Sequence, residues 1–218
     1  FANRNGTFNG SFDGRSYGGV AAAKLGREVV MSPSPAYYLD LYQGHPEIEP
    51  PTYGMARLRD TYFFDPTLPA GVDATKLLGI QGNLWTEEIP TFGHLQYMAW
   101  PRAWAVAEEA WSPARDRNEK TQAWPAFIAR VEQHYALFDQ RGWRYARSIY
   151  DPAVSLSKDG RTLTLTSEIP GLSIHYCFDD TEPDASYPQA TGPLTVPVGA
   201  SSIRTRTYRD GQPVGRLT

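Results

Sequence analysis

Leu77-Leu-Gly-Ile-Gln-Gly-Asn-Leu84, followed at once by Trp85-Thr-Glu87, is the stretch on which the fold turns. A short apolar run with glycines suits a buried strand of a parallel sheet, covered on both faces, better than a half-exposed strand. Upstream, Glu28-Val-Val-Met-Ser32 has the same texture and is stopped by Pro33, with Tyr38-Leu-Asp40 soon after. In both places aromatic and carboxylate side chains follow where a buried strand ends. In parallel α/β barrels that end of the sheet carries the ligand site. Trp85 and Glu87 are two residues apart, so in extended backbone they share a face. An aromatic face next to a carboxylate acceptor suits a hydroxyl-rich ring.

Helical patterns alternate with these strands. Gly19 to Lys24 predicts a short helix, with Gly26 as a left-handed cap. Gly93 to Glu109 predicts a second, with Leu95, Met98, Ala99, Ala103 and Val106 on one side and a kink or late start at Pro101. Glu119 to Gln140 predicts a third, capped by Asn118 and Gly142, with Trp124, Phe127, Ile128, Val131, Tyr135 and Phe138 at helical spacing. The glycine-rich residues 1–19 predict loop with one short strand near Thr7–Phe12, and Pro33 to Pro69 predicts loop with aromatic islands. From Tyr150 the texture changes to short strands: Ala153–Leu156, Arg161–Thr166, Ser173–Phe178 and Ser202–Tyr208. Turn signals at Lys158-Asp159-Gly160 and Asp210-Gly211 separate them. A boundary near residue 149 is expected, with β-α-β-α order before it and an all-β sandwich after it.

Composition narrows the function classes. The 218 residues are 41% hydrophobic and 21% charged, which is globular, and the net charge is −3. The 21 Lys and Arg form no long basic run, which argues against nucleic acid. No apolar window is long enough to span a membrane. Phe1 stands where a translation start would have Met, so a processed or incomplete chain is expected. The single cysteine, Cys177, has no internal partner. His45, His94, His134 and His175 lack metal-ligand spacing, and the acidic Asp179–Asp184 run lacks the layout of a calcium loop, so neither metal nor cofactor is expected. Taken alone, Tyr38 is explained as a loop aromatic and Asp40 as a cap or turn residue.

Five strings together resemble the family 20 glycoside hydrolases, the β-N-acetylhexosaminidases. They are Gly18-Gly-Val-Ala-Ala-Ala-Lys-Leu-Gly-Arg-Glu-Val-Val-Met-Ser-Pro33, Tyr38-Leu-Asp40, Tyr62-Phe-Phe-Asp-Pro66, Gly79-Ile-Gln-Gly-Asn-Leu-Trp-Thr-Glu87, and Tyr97-Met-Ala-Trp-Pro-Arg-Ala-Trp-Ala-Val-Ala-Glu-Glu-Ala-Trp-Ser-Pro113. The resemblance runs over about residues 11–145. Residues 151–218, with Ile174-His-Tyr-Cys-Phe-Asp-Asp-Thr-Glu-Pro183, are similar to the small C-terminal β-sandwich of many bacterial members. It implies the C-terminal portion of a (β/α)8 barrel over residues 1–149, then an immunoglobulin-like sandwich over residues 150–218.

The resemblance also implies a reaction. Family members release terminal N-acetylglucosamine or N-acetylgalactosamine with retention, the sugar's own acetamido oxygen attacking the anomeric carbon. Tyr38 would hold that oxygen in line as the catalytic residue of this segment. Asp40 and Glu87 would accept the sugar's outer hydroxyls, and Trp85 would lie under the ring. The expected partners are an N-acetylated amino-sugar glycan or chitooligosaccharide and the missing N-terminal barrel half, and the expected location is periplasmic or secreted. The family's general acid sits in a His-x-Gly-Gly-Asp-Glu motif, which this sequence lacks. Its sugar-binding arginine also lies upstream, and a pocket tryptophan aligns with Phe12. An isolated chain without hydrolytic activity is therefore expected. The rival expectations are a non-catalytic carbohydrate-binding protein that kept the sugar platform, and a β-sandwich acting only as spacer.

Overall fold

The structure, a computed structural model, describes residues 8–9 and 17–218, with side chains from residue 18 onward. Phe12 and most of the first glycine-rich stretch lie outside the described residues. The chain divides into two compact units, one formed by residues 1–42 and 51–146 and the other by residues 43–50 and 147–218.

The first unit is α/β. Strands β1 (Phe8–Asn9), β2 (Val29–Met31) and β3 (Leu77–Ile80) form a parallel sheet in that order, with Val30 opposite Gly79 and Met31 opposite Ile80. Parallel neighbours need a crossover between them. Helix α1 (Tyr17–Lys24) provides the first, and α2 (Ser34–Tyr37) and α3 (Leu58–Phe63) lie in the second. Val29 and Met31 are fully buried and pack with Ala23 of α1, flanked by Val20, Leu77 and Ile80. Gly19 permits this close contact, because a Cβ there would sit 2.6 Å from the Met31 sulfur. Gly26 ends α1 with φ +75° and donates to the Ala23 carbonyl at 2.9 Å, as a left-handed cap does.

The stretch from Pro33 to Pro69, expected as loop, contains α2 and α3. They have four and six residues, too few to display a 3.6-residue period, and their signals are local. Pro35 pre-sets the first turn of α2. Asp60 accepts the Arg57 backbone N–H at 2.9 Å and closes the start of α3.

The long helix expected across Pro101 is two helices, α4 (Phe92–Ala99) and α5 (Arg102–Trp111), because the ring removes a donor and clashes with the preceding turn. The innermost residues here are Met98, Arg102 and Ala105, while Ala103 and Val106 are half-buried. Helix α6 (Arg117–Arg141) follows, and all six of its expected apolar positions are buried. Its cap is Asp116, not Asn118. Asp116 accepts the backbone N–H of Asn118 and Glu119 at 2.7 and 2.8 Å, and the Glu119 carboxylate returns the bond. Tyr62 of α3 packs against Trp124 and Phe127 with ring centroids 4.8 and 4.7 Å apart. Beside them Lys120 donates to Glu109 at 2.5 Å and to the Phe64 carbonyl at 2.7 Å. Burial pushes the Glu109 carboxyl above its usual range, and the Lys120 ammonium works against that shift. Among the described residues no helix is long and apolar enough to cross a membrane.

The strands of the second unit pair antiparallel, and two short 3-10 turns, Pro46–Ile48 and Ser148–Tyr150, accompany them. Strands β4 (Ala153–Leu156), β5 (Thr162–Thr166) and β7 (Leu194–Thr195) form one sheet; β6 (Ser173–Cys177), β8 (Arg204–Arg209) and β9 (Gln212–Pro213) form another. Leu163 and Leu165 of β5 and Ile174 of β6 share one apolar cluster, flanked by Tyr176, Leu194, Val196 and Ile203. Alternation along β5 explains this, since every second residue faces inward. Asp210 and Gly211, at φ 51° and 74°, turn β8 into β9, the left-handed pair a two-residue hairpin needs. Arg216 bonds Asp151 at 2.8 Å and Glu49 at 2.7 Å, and both carboxylate side chains are almost fully buried.

Candidate functional site

The site candidates stand where β2 and β3 end. Pairing continues past both strands: the Gln81 N–H donates to the Met31 carbonyl at 2.9 Å, and Ser32 Oγ donates to the Gln81 carbonyl at 2.8 Å. The amide of Asn83 donates to Ser32 Oγ at 2.8 Å, and Gln81 donates to the Asn83 side-chain oxygen at 2.6 Å. Ser32 is fully buried and Asn83 nearly so, and these bonds satisfy polar groups that would otherwise be costly there. After the detour through α2 the chain rejoins as a parallel bridge between Tyr38 and Asn83. Asn83 N–H donates to the Tyr37 carbonyl at 2.8 Å, and Leu39 N–H to the Asn83 carbonyl at 2.6 Å. The segments carrying Tyr38 and Trp85 therefore leave the sheet side by side. Their ring centroids are 6.1 Å apart, tilted by 58°. Tyr38 is buried, whereas Trp85 keeps 46% of its surface exposed.

Asp40 is 4% exposed. Its Oδ2 accepts the Tyr53 hydroxyl at 2.7 Å, and its backbone carbonyl accepts the Thr52 hydroxyl at 2.6 Å. Its Oδ1 is buried and meets no donor among the described residues. A carboxylate oxygen left so costs about 1–3 kcal/mol. Burial of its hydroxyl end, then the bond to and charge of Asp40, then Tyr38 and Glu87, hold the Tyr53 phenol well above its usual range.

Arg102 holds the frame. It is fully buried, and its guanidinium donates to the carbonyls of Ala56 at 2.9 Å, Leu39 at 2.5 Å and Met98 at 3.0 Å. Leu39 adjoins Tyr38 and Asp40, and Ala56 ends the segment that delivers Thr52 and Tyr53. One side chain of α5 thereby fixes both segments.

The structure brings Tyr38 against Trp85 and the Tyr53 hydroxyl onto Asp40, while Glu87 is exposed. Sequence reasoning missed Tyr53, Asn83 and Arg102. For Tyr53 the available signal was Pro51-Thr-Tyr-Gly54, a turn carrying one aromatic. Clefts lie elsewhere: about 270 Å³ with Trp104, Trp111 and His134, about 180 Å³ with Leu77, Ile80 and Glu109, about 420 Å³ with Ala36, Arg59 and Phe63, and about 210 Å³ with Leu163 and Val196. None of these is lined by Tyr38, Asp40, Trp85 or Glu87.

Residues 11–114 match the Glycosyl hydrolase family 20 catalytic domain. The chain is 34% identical over 201 residues to a beta-hexosaminidase of Porphyromonas gingivalis, covering 87% of this chain and 25% of that protein. It is 39% identical over 131 residues to a beta-N-acetylhexosaminidase of Cellulomonas fimi, covering 59% and 25%. The chain thus spans about a quarter of the length of both. The solved GH20 beta-N-acetylhexosaminidase of Streptomyces coelicolor A3(2) superposes with a TM-score of 0.54 at 29% identity, over 65% of this chain and 29% of that one. A mutant Streptomyces plicatus beta-hexosaminidase in complex with product (GlcNAc) gives 0.55 at 28%, with the same coverage.

Proposed function

We propose that the chain belongs to glycosyl hydrolase family 20, whose catalytic-domain model matches residues 11–114, and that it is the C-terminal part of a β-N-acetylhexosaminidase. In this reading β1, β2 and β3 are the last strands of a (β/α)8 barrel, and the two small sheets form a β-sandwich domain beginning near residue 149. The parallel order of the first three strands and the apolar cluster shared by the two sheets support it. The substrate is a glycan or chitooligosaccharide ending in N-acetylglucosamine or N-acetylgalactosamine. Export to the periplasm or medium belongs to the same proposal.

Tyr38, held against Trp85, steers the acetamido oxygen toward the anomeric carbon, so that a bimolecular attack becomes an intramolecular one. The exposed indole face of Trp85 covers the sugar ring. Asp40 Oδ1 and Glu87 accept outer hydroxyls. The proton donor to the leaving oxygen is not among these residues and lies outside the chain.

One observation carries the proposal: two residues after a buried tyrosine that packs on a half-exposed indole, a buried carboxylate oxygen meets no donor among the described residues. The test compares nitrophenol release from a β-linked nitrophenyl N-acetylglucosaminide. The full-length protein is expected to turn over and the isolated 218-residue chain is expected not to. Robust turnover by the isolated chain, or none by the full-length protein, overturns the proposal.

A further inference from the structure

We infer that Arg216 is a positioning residue for the sugar site. By clamping the loop of residues 43–50 it holds the segment that brings Thr52 and Tyr53 onto Asp40, so the second unit contributes to the geometry of the reaction and is more than a spacer. This rests on the reading of Tyr38 to Asp40 as part of that site.

The chain leaves the first unit after Tyr42, passes through the second as residues 43–50, and re-enters the first at Pro51. Asp40 stands just before this excursion, and Thr52 and Tyr53 just after it. Within the first unit the two sides of the neck are tied together. The Tyr42 N–H donates to the Gly54 carbonyl at 3.0 Å, and the Ala56 N–H to the Tyr42 carbonyl at 2.9 Å. The Thr52 hydroxyl donates to the Asp40 backbone carbonyl and the Tyr53 hydroxyl to its carboxylate. Pro51, Tyr53, Gly54 and Met55 are exposed, so packing does not hold the returning side of the neck. Hydrogen bonds hold it, with an arginine at either end: Arg102 on the Ala56 carbonyl and Arg216 on the Glu49 carboxylate.

Within the second unit residues 43–50 are seated tightly. The Glu49 side chain is 1% exposed and accepts from the Arg216 guanidinium at 2.7 Å. Asp151 fixes Arg216 in turn, accepting its backbone N–H and its Nε–H, both at 2.8 Å. Gly44 lies against the pair: a Cβ there would sit 2.9 Å from an Arg216 nitrogen and from Glu49 Oε1, and 3.0 Å from the Ser148 Cβ. A buried carboxylate stripped of its partner is strongly disfavoured, so the pair stays closed. The planar fork of Arg216, bonded on two sides, gives the loop one fixed seat three residues before Thr52. A site that works by alignment feels the loss of such a seat, since a displacement of about 1 Å can cost about a hundredfold in rate.

The experiment uses the full-length protein with Arg216→Met, Glu49→Gln, Leu163→Ala and Asp40→Asn, assayed on nitrophenyl N-acetylglucosaminide well below each melting temperature. Glu49→Gln keeps the shape of the side chain and remains informative where Arg216→Met fails to fold. Leu163 belongs to the apolar cluster of the two sheets and is the control for lost stability alone. Both clamp variants are expected to speed hydrogen exchange across residues 41–56 at least about threefold and to lower kcat/KM about tenfold or more. Leu163→Ala should lower the melting temperature while its kcat/KM stays within about twofold of the parent and its exchange across residues 41–56 is unchanged. If the clamp variants match the parent in exchange and kcat/KM while Asp40→Asn alters kcat/KM, the clamp is overturned and the site reading stands. Faster exchange with an unchanged kcat/KM overturns the positioning role, because the loop is then freed without consequence. An equal loss of kcat/KM in Leu163→Ala overturns it as well, because the effect then follows stability. If Asp40→Asn leaves kcat/KM untouched, the site reading fails and the inference falls with it.

Discussion

Replacing Trp85 with alanine should weaken product binding tenfold to a hundredfold. The magnitude comes from what the indole has left to bury. An aromatic side chain of this size presents roughly 250 Å² at most, and Trp85 keeps 46% exposed, which leaves about 110 Å². A pyranose covering half to all of that, at about 25 cal/mol per Å², contributes about 1.5–3 kcal/mol, equivalent to roughly tenfold to a hundredfold in Kd. The buried remainder of the side chain is lost as well, roughly 140 Å² at about 25 cal/mol per Å², so a stability loss of about 3 kcal/mol is expected alongside. Calorimetric titration of N-acetylglucosamine into the full-length protein measures the binding term, and urea unfolding measures the rest. Trp85→Phe should fall between, as it keeps a smaller ring face. Trp85 also backs Tyr38 at 6.1 Å, so kcat should fall along with affinity in the alanine variant. Binding by Trp85→Ala within about twofold of the parent would refute the stacking role and remove the indole from the site.

The remaining predictions concern the second unit. Arg216→Met strips partners from Asp151 and Glu49, whose side chains are 1% exposed while Arg216 is 33% exposed. Breaking a fully buried pair costs about 3–5 kcal/mol, so a loss of about 2–4 kcal/mol in urea unfolding is expected, and less than about 1 would contradict the ion-pair role. Side-chain hydrogen bonds from Ser157, Thr181 and Ser186, then backbone N–H groups, hold Asp159, Asp179 and Asp184 below the ordinary aspartate value of 3.8. The folded chain thus prefers their charged form more than the unfolded chain does. Their contribution is complete above pH 3.8 and is lost as pH falls below it. Asp184→Asn should make the acid-unfolding limb shallower there; an unchanged limb would show that the turn does not titrate with folding.

Legibility in the sequence followed the range of the interaction. The six apolar positions of α6 repeat at helical spacing over four turns, and all are buried. The alternation of β5 and the Asp210-Gly211 turn are equally local and were readable. The cap of α6 was misassigned because Asp116 and Asn118 are both good caps. Only the reciprocal bond with Glu119, three residues after Asp116, decides between them. Helices α2 and α3 were invisible because four and six residues carry no period. Strand β3 was drawn four residues too long because Gln81-Gly-Asn-Leu84 keeps an extended, strand-like composition. There Gln81 and Asn83 spend their side chains on each other and on Ser32 instead of on a ladder.

The four candidate residues were legible because each follows a strand end within a few positions, whereas the groups that hold them still come from far along the chain. Tyr53 is 13 residues from Asp40, and Arg102 is 46 and 63 residues from the Ala56 and Leu39 carbonyls it serves. Such distances leave no pattern in composition or period. Arg102 in particular occupies a helix face where periodicity predicts an apolar residue, and an uncompensated buried charge would be expensive. The compensation lies in three carbonyls from three segments, each of which needs a donor once the loops close over it. A planar fork with donors pointing in several fixed directions can meet all three, whereas an ammonium on a flexible stem gives no such fixed geometry. The buried arginine is therefore the residue that lets two irregular segments, with their backbone polar groups, sit inside a packed unit, and the position of Tyr38 and Asp40 follows from it.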